Sequence, residues 1–164
     1  MTAFKKQILE ILVHEDCRYS PEKIATLLGA EAADVRAAVS ELEREGVVVK
    51  YAAVVNPEKR EEDFVDALIE VKVTPQKALG FDAIAEEIYQ FPEVKSVYLM
   101  SGGYDLCVMI EGRTLREVAN FVSEKLSVMD TVISTATHFI LKTYKKDGIV
   151  LEEGEQAKRI AVQP

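Results

Sequence analysis

The sequence predicts an α+β protein in two parts: an N-terminal winged helix-turn-helix and a C-terminal ferredoxin-like domain of β-α-β-β-α-β order. Three observations carry this. Helical periodicity, broken at Gly29 and Gly46, fills the opening stretch. A polar, proline-containing segment, Asn56 to Asp63, interrupts the hydrophobic patterning. Beyond it, stretches that alternate apolar and polar residues are interleaved with stretches of helical period.

In the first part, Phe4, Ile8, Ile11 and Leu12 share one helical face and predict a helix ending near His14 or Glu15. Ser20-Pro21 provides an N-cap followed by proline at the first helical position. The stripe Ile24, Leu27 and Leu28 follows, and Gly29 stands where a C-cap belongs. A turn at Gly29-Ala30-Glu31 leads to a third helix running to Glu45, with Val35, Val39 and Leu42 inward and Gly46 as its stop. Two helices joined by so short a turn form a helix-turn-helix. The β-branched and aromatic run Val47 to Val55 reads as an extended wing. The domain boundaries follow: residues 1–55 for the helical module, 56–63 for a linker, 64–147 for the second domain and 148–164 for a C-terminal extension.

In the second part, Ala67 to Thr74 reads as a strand and Phe81 to Phe91 as a helix with Ile84, Ala85 and Ile88 inward. Val94 to Met100 and Leu106 to Glu111 are the next two strands. Thr114 caps a helix carrying Leu115, Val118, Ala119, Val122 and Leu126, and Val132 to Tyr144 is the final strand. In that order the helices cover one face of a four-stranded sheet. The other face would show apolar side chains to water unless a second subunit covered it, so a homo-oligomer is expected.

Composition narrows the function. With 48% hydrophobic residues in 164, the chain suits one large or two small folded domains. No apolar run has membrane-spanning length and the start lacks a signal-peptide core, so a cytoplasmic protein without membrane association is expected. Cys17 and Cys107 lie far apart with no partner at metal spacing, which suggests buried thiols rather than a metal site or disulfide. The net charge of −8 disfavours indiscriminate nucleic-acid coating. The charge is uneven: residues 1 to 60 carry nine Lys/Arg against ten Asp/Glu, and residues 61 to 164 carry eleven against eighteen.

Between the second and third strands of the C-terminal part, Ser101-Gly102-Gly103-Tyr104-Asp105 makes a glycine-rich turn that presents polar groups. Taken alone it is a hairpin turn. Set in this order of elements, it resembles the corresponding turn of the Lrp/AsnC family of feast/famine regulators. The resemblance spans residues 4 to about 147. It rests on Leu42-Glu43-Arg44-Glu45-Gly46-Val47-Val48 at the helix-to-wing junction, Tyr51-Ala52-Ala53-Val54-Val55-Asn56 in the linking strand, Gly103-Tyr104-Asp105, and Thr135-Ala136-Thr137 in the last strand.

The resemblance implies a DNA-binding transcriptional regulator rather than an enzyme. Its second domain would pair with a twin, dimers would assemble into tetramers or octamers, and an amino acid would bind near the Gly-Tyr-Asp turn at an interface. The lining expected is Ser101, Gly102, Gly103, Tyr104, Asp105, Thr135 and Thr137. A zwitterion needs an acceptor such as Asp105 for its ammonium and N–H or hydroxyl donors for its carboxylate. No cofactor or metal is implied.

The recognition helix is Ala32 to Arg44, and its outward face is poor in positive charge. The family carries more Arg and Lys where this chain has Ala37, Ala38, Ser40 and Glu41. Arg36 and Ser40 remain as base readers, with Arg44, Lys50, Lys23 and Arg18 as phosphate contacts on double-stranded DNA. So sparse a set predicts that linked modules in an oligomer supply much of the affinity. One rival is an amino-acid-binding oligomeric module with weak or lost DNA recognition. A tetrapyrrole decarboxylase of similar architecture is a second, disfavoured because the chain has no Trp and only His14 and His138.

Overall fold

The computed structural model of the protein describes residues 1–14, 20–61, 63–74 and 80–151. The chain divides into two compact units, Met1–Ala53 and Val54–Pro164.

The first unit packs α1 (Ala3–His14), α2 (Pro21–Leu28) and α3 (Ala32–Arg44) around one core. Ile8, Ile24, Ala25, Val35, Ala38, Val39 and Leu42 are buried there, with Phe4, Ile11, Leu12, Leu28 and Val48 against them. The caps form as their residue types require. Ser20 Oγ accepts from the Lys23 N–H, and Gly29 adopts the left-handed conformation at φ 62° while its N–H reaches the Ala25 carbonyl. Leu27 departs from the expected stripe and is exposed, whereas Ala25 is buried. On a 100° wheel Ala25 and Leu28 lie on the same side of Ile24, and Leu27 lies on the other.

Lys5 is nearly buried, and its ammonium binds Glu41 and Glu45 of α3, each at 2.8 Å. Those contacts raise its pKa, and the Lys5 ammonium holds the Glu41 carboxyl below its usual range. Residues 47–55 follow α3 without a strand pairing among the described residues. Val48 packs on the helical core and Tyr51 Oη donates to Glu43 Oε1 at 3.1 Å. A wing strand needs a ladder partner to become sheet, and periodicity cannot supply one.

The second unit begins with a short 3₁₀ turn, Pro57–Lys59, capped by Asn56. Its sheet comprises β1 (Val65–Val73), β2 (Val94–Leu99), β3 (Leu106–Gly112) and β4 (Val132–Phe139), antiparallel throughout in the order β2-β3-β1-β4. Helix α4 (Gly80–Tyr89) follows β1, and α5 (Leu115–Phe121) follows β3 and continues as a π-helical turn over Val122–Leu126. This is the predicted β-α-β-β-α-β chain. Ala67, Ile69, Val71, Leu106, Val108 and Ile110 alternate onto the helix-covered face and pack with Ile84, Ile88, Val118, Phe121 and Leu126.

Two details of α5 differ from expectation. Leu115 and Ala119 are exposed, whereas Phe121 is 3% exposed and packs edge-on against Phe91, their centroids 5.6 Å apart. Phe121 shares the arc of Val118 and Val122, while Ala119 is turned some 100° from Val118. β4 also ends earlier than Tyr144. Its ladder with β1 stops where Phe139 faces Ala67 and the Ile140 N–H reaches the Asp66 carbonyl. Beyond it, β5 (Lys145–Lys146) and β6 (Ile149–Val150) form a small hairpin. Its turn residues Asp147 and Gly148 both have positive φ, 47° and 83°, as an Asp-Gly hairpin turn requires. That hairpin spans the 147/148 boundary drawn from the sequence.

Candidate functional site

Arg36, Ser40 and Arg44 recur every four residues on α3, so they form one stripe. All three are exposed, opposite the buried Val35, Val39 and Leu42. Ala33 and Ala37 flank them, also exposed. Lys23 is exposed on α2 and Lys50 is exposed beyond α3, while Arg18 lies outside the described residues. The α3 stripe is less cationic than its residue types suggest. Arg36 Nη2 lies 2.5 Å from Glu22 Oε1, a contact that the sequence reading missed because the two residues are fourteen apart.

The turn between β2 and β3 closes through the Met100 N–H on the Asp105 carbonyl, at 2.8 Å. Ser101, Gly102 and Gly103 are exposed; Tyr104 and Asp105 are half-buried. Neither glycine has a positive φ, and a Cβ at either would meet open space. Their value is therefore an open approach rather than a strained backbone.

Asp105 has a definite structural task. Its N–H donates to the Val71 carbonyl at 3.1 Å, and its Oδ2 accepts from the Val73 N–H at 2.9 Å. Val73 sits where the β1–β4 register shifts, between Lys72 and Val73. A carboxylate that satisfies a backbone N–H at such an irregularity fixes the end of β1. Its other oxygen, Oδ1, is an acceptor that this contact does not use.

The strands separate the other expected residues. Thr135 faces Val71 and Thr137 faces Ile69 across the β1–β4 ladder, which places both threonines on the helix-covered side of the sheet. Cys107 faces Glu70 and Tyr98, on the open side. Burial pushes the Tyr104 hydroxyl up, with Cys107 and Glu70 adding to it, so Tyr104 belongs with that side. Cys107 is itself buried, and burial raises its thiol pKa; Cys17 lies outside the described residues. His138 shares the open side, its Nε2 3.3 Å from Glu70 Oε1. The seven expected residues are thus divided between two faces and a turn. β1 lies between Leu106 and Thr135.

At the opposite end of β3 a cavity of about 230 Å³ is lined by Glu93, Glu111, Gly112, Asn120, Phe121 and Lys125 among others, and by none of the seven. Lys125 Nζ binds Glu93 Oε1 and holds that carboxyl below its usual range. Among the described residues no group of His, Cys, Asp and Glu could hold a metal ion, and no helix is long and apolar enough to cross a membrane.

Comparison with known proteins accounts for both units. Residues 66–150 match the Lrp/AsnC ligand binding domain. The uncharacterized HTH-type transcriptional regulator YugG of Bacillus subtilis is 49% identical over 165 residues, covering 100% of this chain and 99% of that protein. PH0140 of Pyrococcus horikoshii, another uncharacterized HTH-type transcriptional regulator, is 35% identical over 137 residues, 84% of each chain. The crystal structure of the transcriptional regulator NMB0573 in complex with L-Met, from Neisseria meningitidis, shares the fold with a TM-score of 0.70 at 23% identity. That likeness covers 89% of this chain and 93% of that one. With its helix-turn-helix and its ligand-binding-domain match on one polypeptide, the chain belongs to the Lrp/AsnC family of HTH-type transcriptional regulators.

Proposed function

We propose that the protein binds double-stranded DNA through α3 as a homo-oligomer and that an amino acid or related small effector, held near Asp105, modulates this binding. The observation that carries the reading is the coupling of an exposed Arg36/Ser40/Arg44 stripe to a domain matching the family's ligand-binding module. Arg36 and Ser40 would read base edges, while Arg44, Lys23, Lys50 and Arg18 would meet phosphates. That NMB0573 was crystallised with L-Met supports an amino acid as the class of effector.

Asp105 Oδ1 is the acceptor suited to an ammonium group, alongside the N–H and hydroxyl groups of Ser101 to Tyr104. Thr135 and Thr137 lie on the other side of β1, so their part in an effector site requires a second subunit to bring them to a neighbour's turn. The half-buried Leu68 and Met109 and the exposed Tyr98 on the open sheet face support pairing of two subunits there, whereas a contact bringing the threonines to a neighbour's turn would involve the opposite, helix-covered side. The reading contains no catalytic step.

Calorimetry of the purified protein against the common amino acids tests the effector. The informative variant is Asp105→Asn, which retains an acceptor for the Val73 N–H but removes the charge. Wild type should release heat with at least one amino acid, and Asp105→Asn should bind it at least about tenfold more weakly, a charge-assisted hydrogen bond being worth ~1.5–3 kcal/mol. Equal binding by the two removes Asp105 from the site, and no binding by either removes the amino-acid effector.

A further inference from the structure

Arg36 heads the outward stripe of α3, yet its guanidinium is already engaged. Glu22, in the first turn of α2, places Oε1 2.5 Å from Arg36 Nη2. The other oxygen, Oε2, accepts from Ser20 Oγ at 3.3 Å. Ser20 is the N-cap of α2 and also accepts from the Lys23 N–H. The carboxylate is therefore tethered to the start of α2 on one side and to the recognition helix on the other. Its own backbone N–H and then Arg36 hold its pKa below the usual range.

Stability does not explain this placement. Both side chains are more than half exposed, at 56% and 63%, and exposed pairs add little to folding. The consequence for recognition is larger. An unclasped arginine is a long, mobile cation that can pair with any phosphate, a contact that carries no sequence information. A carboxylate on Nη2 repels phosphates and fixes the guanidinium plane, leaving the remaining N–H donors for neutral acceptors such as guanine O6 and N7.

We infer that Glu22 is a specificity-determining positioning residue: by clasping Arg36 it withholds the guanidinium from phosphates and presents it to base edges. The inference rests on the DNA-binding reading above. It also gives a role to the shortage of cations on α3, because a module with one readable arginine loses discrimination if that arginine binds DNA indiscriminately.

The test begins by enriching duplexes from a randomised pool on the full-length protein. The affinity for the enriched duplex and for an unrelated duplex of equal length is then measured over a range of salt. The proteins are wild type, Glu22→Gln, Arg36→Ala and the double variant. Glu22→Gln should tighten binding to the unrelated duplex by about threefold to tenfold while moving the enriched duplex by less than about twofold, so the specificity ratio falls. Its salt slope on the unrelated duplex should steepen by about 0.9 for each arginine released to a phosphate. In the Arg36→Ala background the same change at Glu22 should leave ratio and slope unaltered. Unchanged ratios in Glu22→Gln, or an equal gain without Arg36, overturn the inference while leaving the DNA-binding reading intact. If no duplex is enriched and no protein binds DNA at low salt, both fall together.

Discussion

The helical unit and the sheet unit organise their polar groups in different ways. On α3, exposed residues four apart form a continuous stripe by helix geometry alone, so Arg36, Ser40 and Arg44 come together regardless of packing. In the sheet, neighbours are set by ladders between distant segments. Asp105 meets Val73 and Thr135 meets Val71, each across a strand pairing. A helix thus offers a surface assembled locally, and a sheet offers sites whose members can be divided between faces by one register. The electrostatics differ too. In the helical unit, salt bridges reach between helices, Lys5 to Glu41 and Glu22 to Arg36. Around the β2–β3 turn the corresponding work is done by backbone groups and one carboxylate.

The largest test of this contrast concerns the two cores. Leu42 and Ile69 are each fully buried, one in each unit. Leu42→Ala and Ile69→Ala should each cost ~2–5 kcal/mol, and denaturant unfolding followed by amide-exchange signals from α1–α3 and from β1–β4 should show each change falling mainly on its own unit. Equal loss of both signals in either variant would show that the two units unfold as one.

A smaller effect is expected at the turn. Asp105→Ala leaves the Val73 N–H without its acceptor and should destabilise the second unit by ~1–3 kcal/mol, whereas Asp105→Asn should recover most of that. Thermal melts of the two variants separate the structural duty of Asp105 from its proposed charge on an effector. If both variants melt together, the Val73 contact is not what holds the end of β1.

The smallest effect should appear in acid. The Glu41 pKa is depressed by Lys5, so the contribution of this pair is present above the unfolded carboxylate pKa and is lost as pH falls through the lower folded value. The helical unit should therefore weaken through that window, and the Lys5→Met variant should show a shallower dependence when its melting is followed against pH. Parallel profiles for the two proteins would assign the acid sensitivity to other groups.

By itself the sequence determined the elements whose causes are local. Ser20-Pro21, Gly29, Gly46 and Thr114 mark where chains start or stop, since capping needs only a side chain and a few adjacent backbone groups. The alternation from Ala67 to Thr74 likewise marked a strand, which the structure runs from Val65 to Val73. It also brought the Gly-Gly-Tyr-Asp turn and the α3 stripe into view, because both are contiguous or helically periodic. Burial on α5 was less legible: the exposed Leu115 and the buried Phe121 depend on which arc the sheet covers, a property of packing rather than of period.

Only the tertiary structure decided how these pieces meet. It put Glu22 on Arg36, Lys5 between Glu41 and Glu45, and Asp105 on Val73, contacts that join residues fourteen to forty positions apart. It also set Thr135 and Thr137 on the side of the sheet away from Cys107. Such pairings arise from strand register and interhelical packing, which local periodicity constrains in face but not in partner.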